Sequence, residues 1–290
     1  ACILSPNLLF PILKTTTDEG TGENRSLAAF PTLSLETIDT FPSGVEDWIN
    51  DHAAFRNRFL SLNARLNLSL FQFGDSQDVI TGKDGWYFYP LGSSVEDFLG
   101  TNRFSAGELQ MLAHKLQTVH DAWKEKGTEF IFLCAPNKEG VYSEFLPDGF
   151  TAPDGSTRRS ELLNYLEMHT NVPVVNPYPE LKNRREYQWY FKTDTHWNDA
   201  AGFLVSGQII DAAGGTSTPI EDVTVTYEPR DPGDLANLFH MPESMCDDTK
   251  ADVSGYRNNV TIHYDSATDD GNIAHISAVQ APDPRRIAIY

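Results

Sequence analysis

One apolar run decides the fold class of this chain: Glu129-Phe130-Ile131-Phe132-Leu133-Cys134-Ala135. It follows a segment of helical periodicity, and Pro136 ends it. A continuous apolar run of this kind is typical of a strand that is buried on both faces of a parallel sheet. The run therefore predicts an α/β fold, in which helices flank a central parallel sheet.

Helical and strand patterns alternate on both sides of this run. Before it, Ser105-Ala106-Gly107-Glu108 has the pattern of a capping box, and the apolar residues up to Gly127 share one helical face. After it, the sequence predicts a helix over Arg158–His169 and a strand over 172–175. Helices are also predicted over 45–73 and 200–213, and strands over 85–89, 223–227, 260–264, 273–279 and 286–290. This alternation favours an α/β sheet with its functional loops at the strand ends.

The length of 290 residues favours one large domain preceded by an extended segment. The apolar stretch 2–13 is shorter than the roughly 20 residues that a membrane-spanning helix requires, and the stretch 15–34 is polar. We therefore expect residues 1–34 to be an arm and linker left from an anchor or signal, and residues 35–290 to be the folded domain. A membrane contact is expected only through a missing N-terminal anchor.

The charge and the cysteine content exclude several classes of ligand. With 41 acidic and 22 basic residues the net charge is −19, which repels nucleic acid and anionic membrane surfaces. The same field disfavours a polyanionic substrate, unless the groove that binds it is locally basic. Cys2, Cys134 and Cys246 form no disulfide framework and have no metal-ligand spacing, so no metal or cofactor is expected.

The chemistry is predicted in Tyr190-Phe191-Lys192-Thr193-Asp194-Thr195-His196-Trp197-Asn198. Asn198 is expected to cap the helix over 200–213, so the loop before it carries Asp194 and His196. On an extended backbone, residues two apart point to the same side. The Asp194 carboxylate can then accept the Nδ1 proton of His196 and leave Nε2 to act as a base, which makes two thirds of a catalytic triad.

Two other interpretations of this pair stay open. An Asp-x-His triplet is often purely structural, and it can also supply two ligands of a zinc site. His52 is the nearest candidate for a third ligand, although a capping or core role in its predicted helix is favoured.

The segment Asp194-Thr195-His196-Trp197 closely resembles the signature of the alginate O-acetyltransferase family, whose members have an SGNH-hydrolase-like domain of the AlgX/AlgJ type. Further segments resemble the family in the same order: Glu23-Asn24-Arg25-Ser26-Leu27-Ala28, Asp51-His52-Ala53-Ala54-Phe55-Arg56, Gly82-Lys83-Asp84-Gly85-Trp86-Tyr87-Phe88-Tyr89, Ala135-Pro136-Asn137-Lys138 and Gly233-Asp234-Leu235-Ala236. The resemblance covers the chain from about residue 23 to its end, with the family domain truncated at both ends.

This resemblance implies an O-acetyltransferase that acts on hydroxyls of an exported polysaccharide through a Ser-His-Asp triad. It also implies that an integral-membrane O-acyltransferase delivers the acetyl group and that the protein is periplasmic or in the cell envelope, with an inner-membrane anchor as one form. Catalysis would then rest on His196 as base and Asp194 as its partner. A carbohydrate acetylesterase and a non-catalytic polysaccharide-binding scaffold are the alternatives, and a metal-dependent hydrolase is a third.

The family's triad order places the serine last, in a Gly-Asp-Ser-like turn after a strand. The run 286–290 resembles that strand, so the nucleophile is expected beyond Tyr290 and the present chain is expected to be inactive. Gly74-Asp75-Ser76 spells the same turn, but it follows an amphipathic helical pattern rather than a buried strand. Ser76 is therefore the less favoured nucleophile.

Four further residues are expected near the substrate. Asn137 and Lys138 follow the apolar run, at the strand end where an α/β sheet places its site, and an amide there can bind an oxyanion. A turn residue and a solvated lysine are the competing interpretations. Tyr142 and Trp197 are expected to line a sugar groove, with core packing as the alternative for both.

Overall fold

The structure is a computed structural model that describes residues 27–34, 36–52, 62, 79–152, 155–256, 260–264 and 274–278. Its helices are Phe41–His52 (α1), Ser94–Phe98 (α2), Ala106–Lys124 (α3), Lys138–Val141 (α4), Arg158–His169 (α5), Tyr178–Asn183 (α6), Asp199–Ala212 (α7) and Asp234–Leu238 (α8). Its strands are Ile80–Thr81 (β1), Tyr87–Phe88 (β2), Phe132–Leu133 (β3), Val174–Val175 (β4), Thr224–Pro229 (β5), Thr249–Ser254 (β6), Val260–Tyr264 (β7) and Ala274–Ala278 (β8).

The described strands form two-stranded sheets. β3 and β4 pair in parallel, with Phe132 opposite Val174 and Leu133 opposite Val175. The pairs β1–β2, β5–β6 and β7–β8 are antiparallel. Helices alternate with strands from β3 to β5, so the α/β class is confirmed, and the predicted parallel sheet is represented by the pair β3–β4.

The strand predicted over 129–135 is shorter and less buried than expected. β3 comprises Phe132 and Leu133, and both are half-buried. Cys134 N–H still donates to the Val175 carbonyl at 3.0 Å, which extends the ladder beyond the strand. Within the described residues β3 pairs with β4 alone.

Side-chain caps set the starts of two of the long helices. Ser105 accepts from the Glu108 N–H, and the Glu108 carboxylate accepts in turn from the Ser105 N–H, which is the predicted capping box of α3. Asn198 Oδ1 accepts from the backbone N–H groups of Ala200 and Ala201, so α7 begins at the predicted cap. A cap of this kind stabilises a helix by about 1 kcal/mol.

The main core lies between α7, α6, α4 and β2. It is built from large side chains that are fully buried or nearly so: Trp86, Phe88, Tyr142, Leu181, Trp189 and Tyr190. Trp189 and Tyr190 end the segment that leads into the Asp194 loop, so the start of this loop is anchored in the core. A second cluster around Val79, Tyr87, Leu235 and Phe239 anchors α8 on the other side of the loop.

The remaining predictions have mixed outcomes. The helix predicted over 45–73 is described for 41–52, and most of the rest lies outside the described residues. Strand β6 was not predicted, and it pairs along its whole length with β5. The division at residue 34 into an arm and a domain stays a prediction. In the part of the chain that the structure describes, every helix is too short or too polar to cross a membrane.

Candidate active site

The loop that carries Asp194 and His196 joins two core residues. Tyr190 and Trp197 form an isolated antiparallel bridge, and Asn198 N–H donates to the Trp189 carbonyl at 2.8 Å. Between the bridged residues the chain is bent, whereas the sequence predicts an extended segment. The bend arises because the Asp194 carboxylate accepts the N–H of the residue two positions later, which is the geometry of an Asx turn.

The same carboxylate oxygen holds the imidazole. Asp194 Oδ1 lies 3.0 Å from the backbone nitrogen of His196 and 2.7 Å from its Nδ1. The Asp194 side chain is 11% exposed, whereas that of His196 is 75% exposed. The loop therefore buries the acceptor and presents the ring, with Nε2 available to an incoming group.

Two charges act on the Asp194 carboxyl. Arg230 Nη2 lies 3.3 Å from Asp194 Oδ2, and its guanidinium stacks 3.9 Å from the centre of the Phe191 ring. Burial alone would raise the pKa of Asp194, but the hydrogen bonds from His196 and the charges of His196 and Arg230 outweigh it and lower that pKa below its ordinary value. Asp194 is thus an ionised acceptor at neutral pH, which suits a partner of the imidazole.

A second carboxylate lies beside the first. Asp234 Oδ1 accepts from the Thr195 N–H at 2.8 Å, and its Oδ2 accepts from the Thr195 hydroxyl at 2.6 Å. Its Oδ2 is also 3.8 Å from Nδ1 of His196. Asp234 is in the Gly-Asp-Leu-Ala turn that resembles the family, but no sequence signal assigned it to this site.

A buried network holds the loop from below. Asp248 accepts from the N–H groups of Lys192 and Thr193, each at 2.9 Å, and from the Thr193 hydroxyl at 2.6 Å. The Thr193 hydroxyl accepts in turn from the Gly233 N–H at 2.9 Å. Asp248 and Thr193 are almost fully buried, so this network links the loop, the start of α8 and the start of β6 in the protein interior.

Lys138 occupies a different place from the one expected. It is 4% exposed, and its ammonium donates to the carbonyls of Tyr87, Lys192 and Asp194 at 2.7, 2.8 and 2.9 Å. These bonds use all three of its protons, so the expected contact with substrate does not fit, nor does a solvated lysine. Burial lowers the pKa of Lys138 to about 7, against the opposing pull of the nearby carboxylates. Lys138 ties β2 to the Asp194 loop.

Tyr142 also lies in the core rather than in a sugar groove. It is 4% exposed, its hydroxyl accepts from the Trp189 N–H at 2.8 Å, and its ring stacks on Trp86. Trp197 is half-buried against the same core. Asn137 is exposed and immediately precedes α4, and a substrate-binding role for it stays a prediction.

Ser76 and the run 286–290 lie outside the described residues. Among the residues that the structure describes, no serine hydroxyl is hydrogen-bonded to His196. His52 ends α1, where its Nδ1 lies 2.9 Å from the Trp48 carbonyl oxygen and its ring stacks on Trp48. This position agrees with the favoured capping role of His52.

Ligand atoms of Asp194, His196 and Asp234 all lie within 4.8 Å of one another, which is a spacing that a metal ion can bridge. The carboxylate oxygens of this group are nevertheless engaged. Asp234 uses both oxygens for Thr195, and Asp194 uses its two oxygens for His196 and Arg230. A guanidinium at 3.3 Å also repels a cation from the Asp194 side.

The fold and the loop together define a class: an α/β protein that presents an imidazole on a buried carboxylate just before a helix, as hydrolases and acyltransferases with a catalytic triad do. The family described as "SGNH hydrolase-like domain, acetyltransferase AlgX" matches residues 79–266, which is more than half of the chain. The chain belongs to this family. The matched region contains the whole Asp194 loop together with Lys138, Arg230, Asp234 and Asp248.

Individual relatives are more distant. The chain is 24% identical over 209 residues to a protein of Pseudomonas putida named "Probable alginate O-acetylase AlgJ", and this match covers 63% of the chain. The chain spans about half of that relative's length, since the match covers 49% of it.

Solved structures resemble parts of the chain. The O-acetyltransferase domain of Pseudomonas putida AlgJ is 19% identical with a TM-score of 0.40, over 61% of this chain and 64% of that one. PatB1 of Bacillus cereus is 20% identical with a TM-score of 0.46, over 69% of this chain and 65% of that one.

Proposed function

We propose that this protein is an O-acetyltransferase that transfers acetyl groups to hydroxyls of an exported polysaccharide. In this proposal His196 is the general base and Asp194 its ionised partner. One observation carries the proposal: Nδ1 of a largely exposed imidazole lies 2.7 Å from a carboxylate oxygen that is itself buried. Membership of the acetyltransferase family supports acyl transfer as the reaction.

The contacts of Nδ1 determine which nitrogen can act as a base. Asp194 is ionised, and an ionised carboxylate can only accept, so the proton between the two groups belongs to Nδ1. The Nε2 lone pair is then free on the exposed side of the ring. Arg230 bonds to the other oxygen of the Asp194 carboxylate, so this carboxylate is held in place and orients the imidazole.

The proposed reaction has two halves. Nε2 removes the proton of a serine hydroxyl as the serine oxygen attacks the donor's acetyl carbonyl, and the imidazolium then returns that proton to the leaving group. A sugar hydroxyl next attacks the acetyl-serine, again giving its proton to Nε2. The serine oxygen leaves and takes the proton back, which regenerates the enzyme and yields the acetylated sugar.

The proposal requires a serine that reaches Nε2, and we take it from a Gly-x-Ser or Gly-Asp-Ser turn downstream of Tyr290. We further propose an integral-membrane O-acyltransferase as the source of the acetyl group and the periplasm or cell envelope as the location. The name of the AlgJ relative refers to alginate, which is a polyanion. A chain with a net charge of −19 favours a neutral or amino-sugar polymer instead.

Substitution of the pair tests the catalytic assignment in the full-length protein with a chromogenic acetyl ester. We expect His196→Ala to abolish turnover, and Asp194→Asn to lower the rate by about 10⁴-fold, because the amide favours the wrong imidazole tautomer. Matched controls are His114→Ala and Asp252→Asn, since both residues are exposed on regular elements away from the loop. Rates close to wild type in either loop variant would remove the assignment.

The acceptor distinguishes transfer from hydrolysis. Full-length protein is incubated with an acetyl donor and a panel of alginate, neutral and amino-sugar oligosaccharides, and the products are analysed by mass spectrometry. A mass increase of one acetyl group on an oligosaccharide supports the transferase. Release of acetate with no acetylated sugar supports the acetylesterase, and binding of a sugar without any turnover supports the scaffold.

A further inference from the structure

The imidazole of His196 has a second set of neighbours besides Asp194. Thr195 Oγ1 lies 3.2 Å from Nδ1 of His196 and donates its own proton to Asp234 Oδ2 at 2.6 Å. Asp234 Oδ2 itself is 3.8 Å from Nδ1. A line of polar atoms therefore runs from the ring through a hydroxyl to a second carboxylate.

The number of protons decides which atom donates and which accepts in each of these hydrogen bonds. A hydroxyl has one proton, and the short contact to Asp234 assigns it to that carboxylate. Toward Nδ1 the Thr195 oxygen can then only accept. A hydroxyl that donates to an anion is also a better acceptor, because hydrogen bonds in a chain polarise one another. Both neighbours of Nδ1, Asp194 and Thr195, thus favour a proton on that nitrogen.

We propose that Thr195 and Asp234 are positioning residues that act as a second arm on His196, holding its ring and keeping the proton on Nδ1 alongside Asp194. The effect on the reaction rate rests on the proposed function. The effect on the tautomer of His196 does not, because the tautomer is measurable without turnover. The arm would let the site retain part of its rate when Asp194 is removed.

The contacts of the loop separate this role from a structural one. The path of the chain is held by Lys138, Asp248 and Gly233, which bond to backbone or to Thr193 and leave the Thr195 hydroxyl out. The Thr195 N–H donates to Asp234 independently of the hydroxyl. Thr195→Val therefore deletes the arm while the backbone contact and the side-chain shape remain, and Thr195→Ser restores the hydroxyl.

The first experiment measures the tautomer in the purified chain. Long-range ¹H–¹⁵N correlation through the carbon-bound ring protons reports which imidazole nitrogen is protonated, and the signal is assigned by its loss in His196→Gln. We expect an Nδ1–H ring in the wild type, a larger Nε2–H fraction in Thr195→Val and Asp234→Asn, and the wild-type spectrum in Thr195→Ser. An unchanged spectrum in Thr195→Val would overturn the proposal, whatever the activity of the enzyme.

The second experiment is a double-substitution cycle in the full-length protein. We expect Thr195→Val to lower kcat by about two- to tenfold, the range for one net hydrogen bond, with KM unchanged and activity rescued in Thr195→Ser. In an Asp194→Ala background the same change should cost more, because the arm is then the sole acceptor for Nδ1. Equal losses in both backgrounds would contradict a shared role.

Ser217 supplies the matched control for both experiments. Its N–H and hydroxyl donate to the two oxygens of Asp211, each at 2.8 Å, which reproduces the Thr195–Asp234 contact in the segment that follows α7. Ser217→Ala should change neither the His196 spectrum nor kcat. A change in Ser217→Ala as large as in Thr195→Val would show that losing such a contact anywhere perturbs the protein, and it would overturn the assignment.

If wild-type full-length protein shows no turnover, the proposed function fails while the tautomer measurement still decides the inference.

Discussion

Gly233 lies against Asp194, and the structure leaves no room there for one added methyl group. A Cβ built there would lie 2.4 Å from the Cβ of Asp194, 2.7 Å from the Thr193 carbonyl oxygen and 2.8 Å from Asp194 Oδ2. Its φ of −80° suits any residue, so the constraint is space and not backbone conformation. Gly233→Ala therefore tests the close packing of the chain against Asp194 and the Thr193 carbonyl.

Gly233→Ala is expected to lower both the stability of the fold and the reaction rate. Overpacking of a buried contact costs typically about 1–3 kcal/mol, so the free energy of unfolding should fall by that amount. Relief of the overlap requires Asp194 to move, and the 2.7 Å bond to His196 then lengthens or breaks. The rate of the full-length enzyme should fall toward that of Asp194→Asn, by up to about 10⁴-fold.

Urea unfolding of the purified chain and turnover of the acetyl ester measure the two parts. Gly202→Ala is the matched control, since Gly202 lies within α7 and an added Cβ there meets no atom within 4 Å. That control should keep full activity and gain stability by up to about 1 kcal/mol from helix propensity. Wild-type stability and rate in Gly233→Ala would refute the argument that this glycine is required by the approach of Asp194.

Two further predictions concern Lys138 and metal ions. The pKa of Lys138 is about 7 in the folded chain and has its ordinary value of 10.5 when unfolded, so the unfolded chain binds more protons between these limits and stability rises with pH there. Between pH 7 and 8.5, the free energy of unfolding of wild type should therefore rise relative to that of Lys138→Met by up to about 1.4 kcal/mol per pH unit. The exposed control Lys126→Met should give no such slope. If the difference between wild type and Lys138→Met does not change with pH, the ammonium is not buried. Chelators should leave turnover unchanged, because Arg230 and Thr195 engage the carboxylates that would bind a metal. If chelation abolishes turnover and a divalent ion restores it, the metal-dependent hydrolase is favoured instead.

The local elements were predictable because neighbouring residues determine them. The capping box at Ser105 fixes the start of α3 through contacts three residues apart, and Asn198 fixes the start of α7 in the same way. The helix at Arg158–His169 has the predicted bounds. The strand over 129–135 was overestimated, because the length of a strand depends on the partner beside it, and apolar character alone does not supply that partner.

The site was predictable only in part, because only some of its contacts join neighbouring residues. Asp194 and His196 are two residues apart, so their contact is local, although the bend that produces it is an Asx turn rather than an extended segment. Lys138 and Tyr142 were expected at the substrate, and the structure places both in the core. Residue type could not distinguish these locations, because a lysine can be buried wherever three carbonyls converge on it.

The sequence by itself determined the α/β class, the helix starts and the Asp-His pair, since each depends on residues within a few positions of one another. Only the tertiary structure decided what surrounds that pair. Arg230, Asp234 and Asp248 lie more than thirty residues along the chain from Asp194, and they reach the loop because β5, α8 and β6 fold back against it. Contacts over such distances depend on packing between elements, which no local pattern of residues encodes.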